Sequence, residues 1–359
     1  MPQFKKFVDL HASRNMSITY STIIPTLNQS AKLKQCLFHL SALSFDPDLF
    51  EVLVVDNGST DDTKEISLSF QNKIKKLQYL FCKSPGLMAA RHMGCDMAKG
   101  EILCYLDDDS LVTKDWLKGI SESFADEDVG LVGGPCIPEY EVEPPYWVEY
   151  FWDETEHGKT NTVLSLVDFG NQKLFITPNF VYGCNYSIRK KIFLGLGGTN
   201  PDYFPEKYRQ FQGDGESGLA AKISRSGYKT VYDPLVKIQH LIPQSRLTVE
   251  YFCWRRYFNG IHGSYSAIRR QHGVENENKK KMSIGRRIYR RVKRVITARL
   301  NQKRHKNADE PEEVRQIRER MRESYEAGYR YHQEEVKKDA KLLEWVLREN
   351  YLGENGKLP

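Results

Sequence analysis

Three consecutive carboxylates, Asp107, Asp108 and Asp109, close the apolar run ILCYL at residues 102–106. Like charges this close repel and raise one another's pKa unless something positive sits among them. In extended geometry alternate side chains share one side, so Asp107 and Asp109 are expected to converge and Asp108 to point away. Two convergent carboxylates with open coordination positions suit Mg2+ or Mn2+, hard cations that also take phosphate oxygens. Two more polar clusters end β-rich runs: Pro25-Thr26-Leu27-Asn28 after the first and Asp56-Asn57-Gly58-Ser59 after the second. Any one cluster has a rival reading as ordinary turn chemistry; their joint placement is what points to a site.

The elements around them must bring those tips together. SITYSTIIP reads as a strand, QSAKLKQCLFHLSAL as a helix with apolar residues at 33, 37, 40 and 43, and EVLVVDNGS as a strand ending in turn residues. DDTKEISLSF is expected to be helical, LQYLF a strand, PGLMAARHMGCDMAKG a helix closed by glycine, and EILCYL a strand. Alternation of this kind predicts an α/β fold with a doubly wound, mainly parallel sheet, whose ligands lie beyond the carboxyl ends of the strands. Further on, GESGLAAKISRSGY reads as one helix ending at Gly227, followed by a short strand reaching His240, and RLTVEYFCWRRYFNGIHGSYSAIRR as a helix broken near Gly260 to Gly263.

The chain has 359 residues, of which 40% are hydrophobic, enough for a full core. Its seven cysteines show neither paired nor zinc-ligand spacing, which points to buried thiols in a reducing setting. No signal peptide core and no run of about 20 apolar residues is present, so secretion and membrane spanning are disfavoured and a cytoplasmic location is expected. Charge is uneven: residues 279–306 carry 13 Lys and Arg with no Asp or Glu, against a chain total of +6. Ile284, Ile288, Val292 and Leu300 recur through that segment at helical spacing, giving a basic amphipathic helix. Such a helix suits an anionic membrane face and a peripheral attachment on its inner side; nucleic acid is the weaker partner, because no recognition module accompanies the charge. Residues 309–350 mix both signs, as a solvent-exposed helix or hairpin would.

Taken in order, VVDNGSTDDT, MAARHMGCDMAKGEILCYLDDDS, GLVGGP, YGCNYSIRK, GDGESGL and GYKTVYDPLVKIQH resemble the family 2 glycosyltransferases of the GT-A fold, over roughly residues 17–260. The resemblance implies an inverting, metal-dependent transfer of a sugar from a nucleotide-diphospho-sugar, UDP foremost, to a sugar or lipid-linked acceptor in surface polysaccharide or glycolipid assembly. It implies that Pro25, Thr26, Asn28, Asp56, Asn57, Arg91, Asp107 and Asp108 hold the nucleotide, and that Asp107, Asp109 and His240 hold Mn2+ or Mg2+. Gly183, Cys184 and Asn185 match the segment beside the donor sugar, and Trp147, Trp152 and Tyr146 are either sugar platforms or packing residues. Glu216 matches the position of the general base, with Asp214 as its rival in the Asp-Gly-Glu sequence. Arg246, Arg255 and Arg256 either contact the diphosphate or join the basic surface. The implied organisation is an N-terminal extension (1–16), a GT-A domain (17–270, nucleotide half 17–135, acceptor half 136–270) and a helical C-terminal extension (271–359). A nucleotidyltransferase is the enzymic alternative, disfavoured by the lack of a glycine-rich basic triphosphate loop; a non-catalytic, membrane-associated nucleotide-binding scaffold is the other.

Overall fold

The computed structural model describes residues 18–274 and 310–352. The extension 1–16 and the basic segment 279–306 lie outside the described residues.

From Tyr20 the chain alternates strand and helix: β1 (Tyr20–Thr26), α1 (Ser30–Leu40), β2 (Phe50–Asp56), α2 (Thr63–Ser69), β3 (Leu77–Phe81), α3 (Leu87–Met97) and β4 (Ile102–Leu106). β5 (Ser110–Val112), α4 (Trp116–Ser123), β6 (Val129–Gly133) and β7 (Cys136–Tyr140) follow. Next come the short strands β8 (Asp153–Glu154), β9 (Lys159–Asn161), β10 (Leu166–Asp168) and β11 (Leu174–Phe175). After them are β12 (Asn185–Arg189), α5 (Lys190–Gly195), α6 (Gly215–Ser226), β13 (Lys229–Tyr232), β14 (Ile238–Ile242) and α7 (Val249–Gln271). Two further helices, α8 (Glu312–Lys338) and α9 (Ala340–Leu347), end the described chain.

Eight strands form the central sheet in the order β11-β13-β6-β12-β4-β1-β2-β3, with β1 to β4 parallel and β12 and β11 reversed against their neighbours. β1, β2 and β4 are buried at every position, as expected for strands covered on both faces. Side chains alternate between two cores: Ile24, Val54 and Cys104 face one, and Ile23, Leu53 and Leu103 the other. The parallel register sets Thr26 beside Asp56, so the polar tips meet at one edge. A second sheet, β5-β14-β7-β10-β9-β8, begins immediately after the acidic triplet.

Three expectations need correction. The strand reaching His240 is two strands in different sheets, β13 and β14, separated by a turn at Asp233 whose carboxylate accepts the Leu235 N–H at 2.9 Å. Helix α7 runs unbroken through Gly260 and Gly263, because those glycines form a crossing rather than a kink. A Cβ at Gly260 would stand 2.0 Å from the Tyr325 carbonyl oxygen, and one at Gly328 would stand 1.9 Å from that of Tyr257, so α7 and α8 meet backbone to backbone. The charged C-terminal stretch is not simply solvated: Val314, Ile317, Met321, His332 and Val336 form a buried stripe on α8, and Leu342, Trp345 and Val346 are buried on α9. Trp345 and Tyr351 join Met88 of α3, Phe204 and Tyr265 of α7 in a separate core that ties the C-terminal helices to the sheet's helices. All seven cysteines are free, and six are buried.

Two buried histidines make the fold acid-sensitive. Burial holds His92 and His332 down at about 4, below the ordinary value of 6.5. The unfolded chain therefore binds the extra protons, and stability is expected to fall as pH drops from about 6.5 to about 4. Urea midpoints measured across that interval test this, and replacement of His332 by Asn should flatten the slope.

Candidate active site

Asp107, Asp108 and Asp109 occupy a tight turn between β4 and β5, closed by the Ser110 N–H donating to the Asp107 carbonyl at 3.1 Å. This is not the extended tip expected from the sequence. As a result all three aspartates, Asp108 included, border one cavity of about 290 Å3 at the carboxyl edge of the sheet. β14 pairs antiparallel with β5, setting His240 opposite Ser110, and the Leu241 N–H donates to the Asp109 carbonyl at 2.8 Å. Asp109 is thus held between two cationic-capable groups, with Arg246 Nη2 2.9 Å from Oδ2 and His240 Nε2 3.3 Å from Oδ1. Burial alone would raise its pKa; His240 and Arg246 outweigh that and hold the carboxyl below the usual range. For Asp107 burial prevails over the opposing charge of Arg91, and for Asp108 burial and the Asp109 charge prevail over a hydrogen bond with Thr26, so both are raised.

The donor set suits a hard divalent cation. Asp109 Oδ1 is buried with only the 3.3 Å contact to His240 Nε2, and Asp107 is a second carboxylate on the same cavity. Among the described residues no three His, Cys, Asp or Glu side chains form a cluster able to hold a metal unaided. A bound cation would therefore draw its remaining ligands from a substrate or water.

Beside the turn, α3 buries Arg91 among three carboxylates. Nη1 lies 3.2 Å from both Asp202 Oδ2 and Glu216 Oε2, and Nη2 lies 3.6 Å from Asp107 Oδ1. Gly183 makes room for it, since a Cβ there would come within 2.4 Å of Nη2. Burial pushes Glu216 up, but Arg91 outweighs it, so the carboxylate sits below its ordinary value and is charged at neutral pH. Asp202 is driven up to about 7 by burial despite Arg91.

Glu216 and Asp214 part company at the start of α6. Glu216 lines the cavity. Asp214 does not; its Oδ1 accepts from Asn200 Nδ2 and its Oδ2 from the Ser266 hydroxyl, each at 2.7 Å. Between them Gly215 takes φ +50°, and a Cβ there would lie 2.7 Å from Asp202 Oδ2.

Pro25, Thr26, Asn57, Arg91, Gly183, Cys184 and His240 also border the cavity. Asn28 and Asp56 instead fasten the loops around it. Asn28 Oδ1 accepts from the Thr60 N–H at 2.8 Å, and Asp56 accepts from the Ser59 N–H and the Tyr79 hydroxyl, each at 2.7 Å. Asn185 is buried between the Trp116 indole N–H, which donates to it, and the Val236 carbonyl, which it reaches at 2.6 Å. Trp147 stands in an apolar core, 5.0 Å from the Phe252 ring, and not on the cavity. Lys159 covers the Trp152 ring, and the Tyr146 hydroxyl donates to Glu313. Of the three arginines left open by the sequence, Arg246 and Arg255 line the cavity, whereas Arg256 lies over the Tyr325 ring of α8. Asp202, Tyr203 and Tyr251 were not anticipated; nothing in their spacing distinguishes them from loop and helix residues.

A mainly parallel sheet carrying an acidic turn, a buried arginine and a helix-borne glutamate at one edge has the GT-A layout. Residues 21–194 match the family model Glycosyl transferase family 2, and the chain carries a family 2 glycosyltransferase domain. Among curated relatives, glycosyltransferase AglE of Haloferax volcanii is 36% identical over 115 residues, covering 32% of this chain and 38% of that one. The glucosyl-dolichyl phosphate glucuronosyltransferase of the same organism is 20% identical over 229 residues, covering 61% of this chain and 67% of that one. The chain spans only part of the length of these relatives, 38% for AglE and 67% for the glucuronosyltransferase. Among solved structures, a mannosyltransferase from Pyrobaculum calidifontis in complex with GDP-Man and Mn2+ superposes with a TM-score of 0.47 at 21% identity, covering 68% of this chain and 61% of that one. No described helix is long and apolar enough to cross a membrane.

Proposed function

We propose that the protein is an inverting glycosyltransferase that moves a sugar from a nucleotide-diphospho-sugar to an acceptor hydroxyl in glycan assembly. The observation that carries this reading is the convergence of Glu216, Arg91, Asp107 and Asp109 on one cavity. Glu216, kept ionised by Arg91, takes the proton from the acceptor hydroxyl while that oxygen bonds to the anomeric carbon. The bond from that carbon to the diphosphate oxygen breaks on the opposite side, the nucleoside diphosphate leaves with the electron pair, and the configuration inverts. Pro25, Thr26 and Asn57 border the nucleotide side, with Asn28 and Asp56 as the braces of its loops.

Asp107, Asp109 and His240 would hold Mn2+ or Mg2+, which when bound supplies Lewis-acid stabilisation of the departing diphosphate. Arg246 and Arg255 add fixed positive charge on the same wall. A lipid-linked acceptor, in keeping with the dolichyl phosphate in one relative's name, and peripheral attachment at the inner membrane face through 279–306 belong to the same proposal.

Calorimetric titration with UDP, GDP, dTDP and CDP, with and without Mn2+, tests it. One nucleotide, UDP first, is expected to bind in a Mn2+-dependent manner, and Asp109→Ala to weaken that binding roughly a hundredfold. Absence of binding by all four to the folded protein would overturn the assignment.

A further inference from the structure

One face of α7 carries a line of aromatic rings that starts inside the cavity and ends outside it. Tyr251 lines the cavity, and its ring stacks on Trp254 with centroids 5.8 Å apart and planes at 28°. Trp254 in turn lies 4.7 Å from Phe258. Spacings of three and four place the rings on one side of the helix, with Arg255 between them and Gly260, the contact with α8, on the opposite side. Among the described residues Trp254 is 44% exposed and Tyr203, across the cavity mouth, 45%. Arg255 bridges the two walls: its guanidinium donates to the Tyr203 hydroxyl and lies 5.5 Å from that ring's centre. The catalytic account above uses none of these rings.

We propose that this face is the acceptor platform, on which the sugar rings of a saccharide acceptor stack as the chain enters the cavity. This rests on the transferase reading. The chemistry selects a saccharide over an acyl or prenyl chain. Positions 251, 254, 255, 258 and 262 are Tyr, Trp, Arg, Phe and His, with no aliphatic side chain among them to solvate a hydrocarbon. Flat rings flanked by hydroxyl and guanidinium donors instead match a pyranose, which has an apolar C–H face and a polar rim. Continuity supports the same occupant: Tyr251 and Arg255 belong to the cavity and to the stripe at once. At about 1.5 Å rise per residue the line from Tyr251 to Phe258 spans roughly 10 Å, room for about two sugar rings outside the reacting one.

The test uses the full chain, a panel of glucose, N-acetylglucosamine, mannose and galactose tetrasaccharides, and phosphatidylglycerol vesicles, with binding followed by calorimetry and tryptophan fluorescence. At least one tetrasaccharide is expected to bind, Trp254→Ala to weaken it roughly tenfold or more, and Trp254→Phe to recover most of the loss. Phe175→Ala, which removes an exposed ring on β11 away from the cavity, should leave saccharide binding as in the wild type. The platform is overturned if no tetrasaccharide binds, if Trp254→Ala binds as well as wild type, or if Trp254 governs vesicle capture instead. Nucleotide titration of the same wild-type preparation separates the two claims. Nucleotide binding without saccharide binding sinks the platform alone; saccharide binding through Trp254 without nucleotide binding sinks the transferase reading and leaves a saccharide site.

Discussion

Glu216→Gln is expected to lower kcat by about 10²- to 10⁴-fold with little change in donor affinity, since it removes the proton acceptor but keeps the shape of the side chain. The comparison that gives this force is Asp214→Asn. Asp214 spends both oxygens on Asn200 and Ser266, away from the cavity, so its substitution should act on stability more than on turnover. Steady-state rates and urea midpoints on both variants decide between them. If Asp214→Asn abolished turnover in a stably folded protein while Glu216→Gln stayed active, the base would be Asp214.

Arg91→Met should have the largest effect on stability. The guanidinium is 3% exposed and serves Asp202, Glu216 and Asp107. Removing the cation leaves the buried Asp202 carboxylate without its counter-charge and takes it from the partly exposed Asp107 and Glu216, a change that costs about 3–5 kcal/mol. The deficit should depend on pH with a definite sign. Without Arg91 the folded carboxylates prefer to be protonated, while in the unfolded chain they titrate near their ordinary values, so the native state binds more protons and the variant regains stability as pH falls from neutrality. Asp202, already at about 7 with the arginine present, should lead that response. Denaturation of wild type and variant at pH 5.5 and 7.5 measures it; a pH-independent gap, or one below about 1 kcal/mol, would mean that the three carboxylates do not depend on this cation.

The stretch from β1 to β4 was largely legible because β1, β2 and β4 are buried at every position and read as continuous apolar runs, while the helices between them bury one face and carry the helical period. β8 to β11, at two or three residues each, are too short to carry any period. On the site, Asp107 and Asp109 stood out by type and spacing, whereas Arg91, Glu216 and His240 were marked only by the family resemblance; all five border one cavity. Asp202 did not stand out: its role comes from meeting Arg91 across 111 positions of sequence. Trp147 illustrates the converse difficulty, since a tryptophan reads the same whether it packs in a core or offers its face to a ligand. The buried stripe of α8 was hidden by the charges between its members; Val314, Ile317 and Met321 pack with Trp147, Phe151 and Phe252, partners that no local pattern names.

That helix crossing changes how the basic segment can be studied. The chain enters it from α7 and leaves it into α8, and these two helices are clasped at Gly260 and Gly328. The described chain on either side of residues 279–306 is therefore held in one crossing. A stop codon within them would remove α8 and α9 as well, stripping Trp345 and Tyr351 from the core that also contains Met88, on the helix of Arg91. Loss of activity in such a truncation would report an unbuttressed Arg91 and say nothing about membranes. The informative change is an internal excision that rejoins the chain by a flexible linker, keeping both helices and removing the charge alone.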